Sequence, residues 1–149
     1  MALILVDTNV LLRRMERTSP QSLIAKSAMR TLREGGDELV IASQTLYELW
    51  VVLTRPTSAR GGFGRTSAEA TRLLQGNMKL CRHLPDSQAL FALWFDLVQR
   101  YQVRGTKAHD ARLVAAMKGA GVSHVLTFNV SDFQVFAAEG ITVVDPATV

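Results

Sequence analysis

The run Leu3-Ile4-Leu5-Val6 ends abruptly in Asp7-Thr8-Asn9 and passes at once into the helical apolar pattern Val10-Leu11-Leu12. Four consecutive apolar residues suit a strand buried on both faces, as in a parallel sheet covered by helices. An acid directly after such a strand sits at its carboxyl end, the edge where open α/β sheets bind ligands. Asp is also a common cap of the helix that follows a strand, so Asp7 alone decides little. Its weight comes from further acids and amides at other strand ends and helix starts.

Strand and helix signals alternate along the chain, which predicts a three-layer α/β/α domain with a central, mainly parallel sheet of four to five strands. Thr8 to Glu16 reads as a short helix. Ser19-Pro20 reads as an N-cap with Pro at the first helical position, opening a helix that carries Leu23, Ile24, Ala28 and Leu32 and stops at Gly35-Gly36. Leu39 to Ala42 is a strand, and Ser43 is expected to cap a helix with Leu46, Leu49, Trp50 and Leu53 on one face, ended by Pro56. Arg55 to Arg65, with Pro56, Gly61, Gly62 and Gly64, is expected to be a flexible loop within the domain. Thr66-Ser67-Ala68-Glu69 is a capping box for a helix through Leu74, and Met78 to Leu84 is read as a strand rather than a continuation of that helix. Asp86 and Thr106 are expected to cap the next two helices. Val122 to Phe128 is a strand, Ser131 to Ala138 a short helix and Ile141 to Val144 the last strand.

With 149 residues, 48% of them hydrophobic, the chain is expected to form a single domain over residues 1–149 with a full core, and not a disordered one. No apolar run reaches the ~18 residues of a membrane span, because Glu48, Asp96 and Arg100 interrupt the best candidates. A strand beginning at residue 3 leaves no room for a signal peptide, so the expected location is cytoplasmic. Cys81 is the only cysteine, which leaves no internal disulfide and no zinc-thiolate pattern. The formal charge is +4, and 13 of the 17 cations are Arg, the side chain suited to bidentate phosphate contacts. This balance leans toward an anionic partner.

In such a layout Asp7, Glu48, Asp110, Asn129 and Asp132 all fall at strand ends or in first helical turns on one rim of the sheet. Each acid lies in an otherwise apolar neighbourhood, where a carboxylate is costly unless paired, hydrogen-bonded or bound to a cation. Each also has an ordinary reading. Asp7 and Asp132 can serve as helix caps or first-turn acids, Glu48 can pair with a surface Arg, and Asp110 with Lys107 or Arg104. Together, oxygen donors without a His or Cys cluster suit a hard cation such as Mg²⁺ or Mn²⁺. His83 and His124 are isolated, and His109 projects to a different helical face from Asp110. There is no GxSxG, no GxxxxGK[ST] and no GxGxxG, which leaves serine hydrolases and nucleotide-binding loops without an anchor.

Val6-Asp7-Thr8-Asn9 with Leu11-Leu12, Tyr47-Glu48-Leu49, His109-Asp110-Ala111 with Leu113-Val114-Ala115, and Thr127-Phe128-Asn129 with Ser131-Asp132-Phe133 follow one another in an order that resembles the PIN-domain ribonucleases, most closely the VapC-like toxins of toxin–antitoxin pairs. The resemblance spans nearly the whole chain. It implies an acidic triad of Asp7, Glu48 and Asp110 holding one or two Mg²⁺ or Mn²⁺ ions and cleaving RNA to leave a 5′-phosphate and a 3′-hydroxyl. It further implies Thr8, Asn9 and Thr127 as supports, a homodimer and a small antitoxin partner. At the fourth position many PIN domains carry an Asp two residues after the Thr, whereas this chain has Asn129. Either Asn129 contributes a neutral oxygen or Asp132 takes the acidic part.

Carboxylates approaching a polyanion need the cation and nearby bases to offset repulsion, and Arg13, Arg14, Arg55, Arg60, Arg104, Lys107 and Arg112 are candidates for RNA backbone contacts. Two other readings stand beside this one. A PIN-like scaffold without catalysis could hold RNA or a protein partner, a reading motivated by Asn129. A haloacid-dehalogenase-like phosphatase also begins with a strand and an Asp, but needs a second Asp where this chain has Asn9.

Overall fold

The computed structural model describes residues 1–149. Five strands, β1 (Leu3–Val6), β2 (Glu38–Ala42), β3 (Arg82–Leu84), β4 (His124–Leu126) and β5 (Thr142–Val144), form one sheet in the order β3-β2-β1-β4-β5. Every pairing is parallel, with Leu5 of the central strand beside Val40 on one flank and Val125 on the other. The expected mainly parallel sheet is therefore wholly parallel, at the upper end of the expected strand number.

Alternation along the strands feeds two cores. Ile4, Val6, Leu39, Ile41 and Leu126 point to one face, where they meet Val10 and Leu11 of α1 (Thr8–Met15), Ala25 and Met29 of α2 (Gln21–Glu34), Leu49 and Leu53 of α3 (Ser43–Thr54) and Ala70 of α4 (Ser67–Leu80). Leu5, Val40 and Val125 point to the other, against Leu97 of α5 (Leu90–Arg100), Val114 and Met117 of α6 (Lys107–Ala120) and Phe133 of α7 (Val130–Gln134). Each such buried Val, Leu, Ile, Met or Phe side chain contributes roughly 1.5–3 kcal/mol, the alanines less. The result is the expected α/β/α layering. No helix is long and apolar enough to cross a membrane.

From β1 the chain moves outward to β2 and β3, then crosses to β4 and β5 on the opposite flank. The reversal lies between β1 and β4, so the crevice beyond their carboxyl ends is the position where such sheets bind ligands. Asp7 and Thr127 are the residues that follow these two strands.

Several boundaries differ from the sequence expectation. α4 runs through Leu80, so Met78 to Leu80 is helix and only Arg82–Leu84 is strand. The backbone ladder continues past Gly76, Cys81 N–H still donating to the Asn77 carbonyl at 2.8 Å, while Asn77 turns its side chain inward, is buried and donates to the Leu73 carbonyl at 2.8 Å. Pro20 precedes α2 rather than opening it, with Ser19 Oγ accepting from Gln21 N at 3.2 Å. Ser43 lies inside α3 and meets His83 Nε2 at 2.9 Å, so it does not cap, and His83 is not isolated. Neither Asp86 nor Thr106 caps through its side chain. The strand expected over Val122 to Phe128 is confined to β4, and the helix expected over Ser131 to Ala138 splits into α7 and a 3-10 turn at Ala137–Glu139.

That 3-10 turn is fixed by charge. Glu139 accepts from Arg100 through two bonds of 3.0 Å, from Tyr101 Oη at 2.7 Å and from Lys118, tying together α5 and α6. These partners hold its carboxyl down at about 2, the Arg100 guanidinium contributing most.

Candidate functional site

Asp7 is the N-cap of α1, and its backbone N–H donates to the Leu126 carbonyl of β4 at 3.0 Å, so the sheet itself fixes where its carboxylate lies. The carboxylate accepts from Thr8 N–H at 2.8 Å on Oδ1, and from Asn9 Nδ2 at 2.9 Å and Thr127 Oγ1 at 2.8 Å on Oδ2. Asp7 is thus both the helix cap and a buried acid, two readings that the sequence presented as alternatives. Burial pushes its pKa up to about 6, opposed by the Thr127, Thr8 and Asn9 hydrogen bonds and reinforced by the charge of Glu48. The supports are themselves held. Asn9 Oδ1 accepts from Phe128 N–H at 3.1 Å, and Thr127 Oγ1 accepts from Asn129 N–H at 3.0 Å.

Glu48 projects from the second turn of α3 and is held on both oxygens, by Thr8 Oγ1 at 2.7 Å and Gln44 Nε2 at 2.7 Å. It has no Arg partner. Thr8 therefore links the first two acids, its backbone N–H on Asp7 and its hydroxyl on Glu48. Gln44 also donates to the His109 carbonyl at 2.9 Å, drawing the first turn of α6 against the first turn of α3. The sequence reading missed Gln44. Its spacing of four from Glu48 on one helix was the available signal, but the meeting with α6 is purely tertiary.

Asp110 stands in the first turn of α6 and is half-buried. It forms no ion pair with Lys107 or Arg104. Its pKa is raised to about 6 by burial first, then by the negative charges of Asp7, Asp132 and Glu48, with His109 opposing. These mutual effects place Asp7, Glu48, Asp110 and Asp132 in one electrostatic neighbourhood. Asp132 lies in the first turn of α7, anchored by the fully buried Phe133, while Asn129 is the exposed N-cap residue of that helix.

No three of these acids converge tightly enough to make a finished ligand cage. The chemistry of the donor set nevertheless fits a hard divalent cation. It is carboxylate-rich, partly buried and strained by its own repulsion, and a cation offsets that repulsion.

Of the seven bases proposed for RNA contacts, three share a cleft with an acid of this site. Arg55 lines a cleft of about 330 Å³ with Thr8, Tyr47 and Glu48, and also donates to the Arg60 carbonyl at 3.1 Å. Arg104 and Lys107 line a cleft of about 560 Å³ that includes Asp132. Arg112 is engaged by Gln44 Oε1 at 3.3 Å and Asp86 at 3.4 Å, and Arg13 is paired with Glu16. Arg14 lies at the far end of α1, in a separate basic cleft.

The model of the PIN domain matches residues 4–138. The chain belongs to the PIN domain family. No curated protein matches its sequence significantly. Among solved structures, the PIN chain is similar to VapBC-1 from nontypeable Haemophilus influenzae, with a TM-score of 0.68 at 17% identity, over 97% of this chain and 98% of that one. A toxin–antitoxin complex from Klebsiella pneumoniae matches with a TM-score of 0.62 at 20% identity, over 98% of each chain. The sarcin–ricin loop cleaving toxin VapC20 of Mycobacterium tuberculosis matches with a TM-score of 0.61 at 17% identity, over 93% of this chain and 96% of that one. At these identities the likeness is one of fold, and it covers this PIN domain nearly end to end.

Proposed function

We propose that this PIN domain is a divalent-metal-dependent endoribonuclease and the toxin of a toxin–antitoxin pair. What supports the reading is the linkage of Asp7 and Glu48 through Thr8, with Asp110 near enough for its pKa to be raised by both charges, beside the β1/β4 reversal in a chain of this family. Asp7, Glu48 and Asp110 would hold Mg²⁺ or Mn²⁺, with Asn129 or Asp132 completing the set. When bound, the cation supplies Lewis acidity, lowering the pKa of water and offsetting charge that develops on the phosphate.

The protein's own groups do the positioning. Thr127, Asn9 and the Thr8 N–H fix the Asp7 carboxylate, while Thr8 Oγ1 and Gln44 fix Glu48. Asp7 and Asp110 are both raised to about 6, and Asp110, the less buried of the two, is the one open to exchange a proton with solvent near neutral pH. Arg55 beside Glu48, and Arg104 and Lys107 beside Asp132, supply positive charge on either flank for the RNA backbone.

A small antitoxin partner is favoured by the fold's likeness to chains solved as VapBC and toxin–antitoxin complexes. A homodimer, a cytoplasmic location and a single PIN unit over residues 1–149 complete the proposal. The decisive experiment is cleavage of single-stranded RNA by nuclease-free protein in Mn²⁺, with Asp110→Asn beside it. Cleavage that needs the metal and disappears in the variant supports the reading, and equal cleavage by both overturns it.

The alternative, a PIN scaffold that binds RNA or protein without cutting, is favoured by one feature. Both oxygens of Asp7 and of Glu48 are already engaged by protein donors. Calorimetric titration with Mn²⁺ separates the two, since the binding module takes up no metal at millimolar concentration.

A further inference from the structure

We propose that the cleft between the end of α1, the start of α2 and the turn preceding α4 is a second anion site, which holds the sugar–phosphate backbone of an RNA strand away from the acid centre. The choice of RNA as the polyanion rests on the nuclease reading above. The cleft measures about 850 Å³ and is lined by Arg14, Arg17, Lys26 and Arg65, with Glu16 as its single acid. Glu16 is taken by Arg13, and Arg65 has only a 3.4 Å contact with Glu69. Arg14, Arg17 and Lys26 form no ion pair. Cations gathered in a concave surface without counter-charge focus a field that attracts an anion.

The wall carrying Arg65 is built rather than loose. Phe63 N–H donates to the Val52 carbonyl at 3.0 Å and Arg65 N–H to the Leu53 carbonyl at 2.8 Å, so the segment expected to be flexible is clamped onto the end of α3. The approach is close enough that a Cβ on Gly62 would lie 2.4 Å from the carbonyl oxygens of Arg55 and Pro56. This clamp sets Phe63, a half-buried aromatic, into the same wall as the cations. Cations tracking a backbone beside an aromatic surface are what single-stranded nucleic acid uses. Guanidinium forks, three of the four cations here, match phosphate oxygens.

Helix α1 connects the two sites, with Asp7 capping its start and Arg14 in its last turn. Seven residues of helix rise roughly 10 Å, a span that a few consecutive phosphates of one strand cover. The cleft therefore acts on strands longer than the cleaved dinucleotide and leaves the chemistry unchanged.

The test is fluorescence anisotropy with a single-stranded RNA of about twelve nucleotides in EDTA, so that no cleavage is required. Arg17→Glu/Lys26→Glu is expected to weaken binding about tenfold or more, and Arg17→Gln/Lys26→Gln to flatten the log–log salt dependence by about 1.4, the release expected for two cations on a single strand. Both residues are exposed, so circular dichroism should show an unchanged fold. Cleavage of a dinucleotide in Mn²⁺ should keep its kcat/KM. Binding that is unchanged in both variants overturns the proposal. So does a loss no greater than that of a control reversal at Arg72 and Lys79, or equally tight and equally sensitive binding of a glutamate peptide, which would make the cleft a site for acidic protein. A protein that binds RNA through the cleft yet never cuts it refutes the nuclease reading alone. Normal cleavage with variant-insensitive binding refutes the cleft alone.

Discussion

Thr127 Oγ1 donates to Asp7 Oδ2 at 2.8 Å across 120 positions of the sequence, joining the ends of the two strands that flank the reversal of the sheet. The same oxygen accepts from Asn9 Nδ2 at 3.2 Å and from Asn129 N–H at 3.0 Å. One hydroxyl thus orients the Asp7 carboxylate and also anchors the segment that carries Asn129.

Thr127→Val keeps the shape and removes the hydroxyl. The loss of a buried hydrogen bond to a carboxylate is expected to cost about 1.5–3 kcal/mol in urea unfolding at pH 7. Because Thr127 is the strongest influence holding the Asp7 pKa down, that pKa should move above about 6 in the variant, read by NMR titration of the carboxyl. Thr127→Ser should restore both properties.

Asp110→Asn should stabilise the metal-free protein. The folded pKa is about 6 against an ordinary value of 3.8, so folding favours the protonated acid. The penalty is absent below about 3.8, grows as pH rises through this interval and is complete above about 6. After allowance for partial exposure, a gain of about 1 kcal/mol is expected at pH 8 and none at pH 3.5, measured by thermal unfolding in EDTA. Mn²⁺ should raise the Tm of the native chain and leave that of the variant nearly unchanged.

Glu139→Gln tests the charge cluster that fastens the 3-10 turn to α5 and α6. The Glu139 carboxyl is lowered from 4.5 to about 2, so its contribution is present above about 4.5 and lost as pH falls toward 2. The variant should be less stable by about 1–2 kcal/mol at pH 7, and the difference should close near pH 2. A constant difference across this range would show that packing, not charge, holds the turn.

Gly62→Ala should destabilise by about 1–3 kcal/mol, since the new methyl must displace the Arg55 and Pro56 carbonyls from 2.4 Å. Gly76→Ala, where a Cβ meets nothing within 4 Å inside α4, should instead stabilise by about 1 kcal/mol. Chemical unfolding of the pair distinguishes a required close approach from ordinary helix propensity.

Asp7 and Asp110 were legible as rim residues because one follows a strand and the other opens a helix, and Glu48 because it lies in the first two turns of a helix that follows a strand. The layers were legible for the same reason. Gln44 was not, because its partners on α6 are remote in sequence and nothing local in α3 requires them. The end of α4 was misread because the residues from Met78 to Leu84 suit either a helix or a strand, whereas Asn77, buried beside Met15, lies within the helix. The segment from Arg55 to Arg65 was read as flexible from its glycines. Its backbone bonds to α3 form only because Gly62 permits a contact that composition does not announce.

The central strand β1 precedes β4 by 120 positions, yet β4 is one of its two neighbours in the sheet. Until residues 124–127 have left the ribosome, Asp7 lacks its β4 backbone acceptor and its Thr127 donor, and β1 has an open edge. Such non-local closure is slow and comes late in folding. The setting of the Asp7 carboxylate is therefore completed only when β4 docks, so a chain stalled or truncated before β4 carries this acid without its Thr127 support and β1 with an unpaired edge.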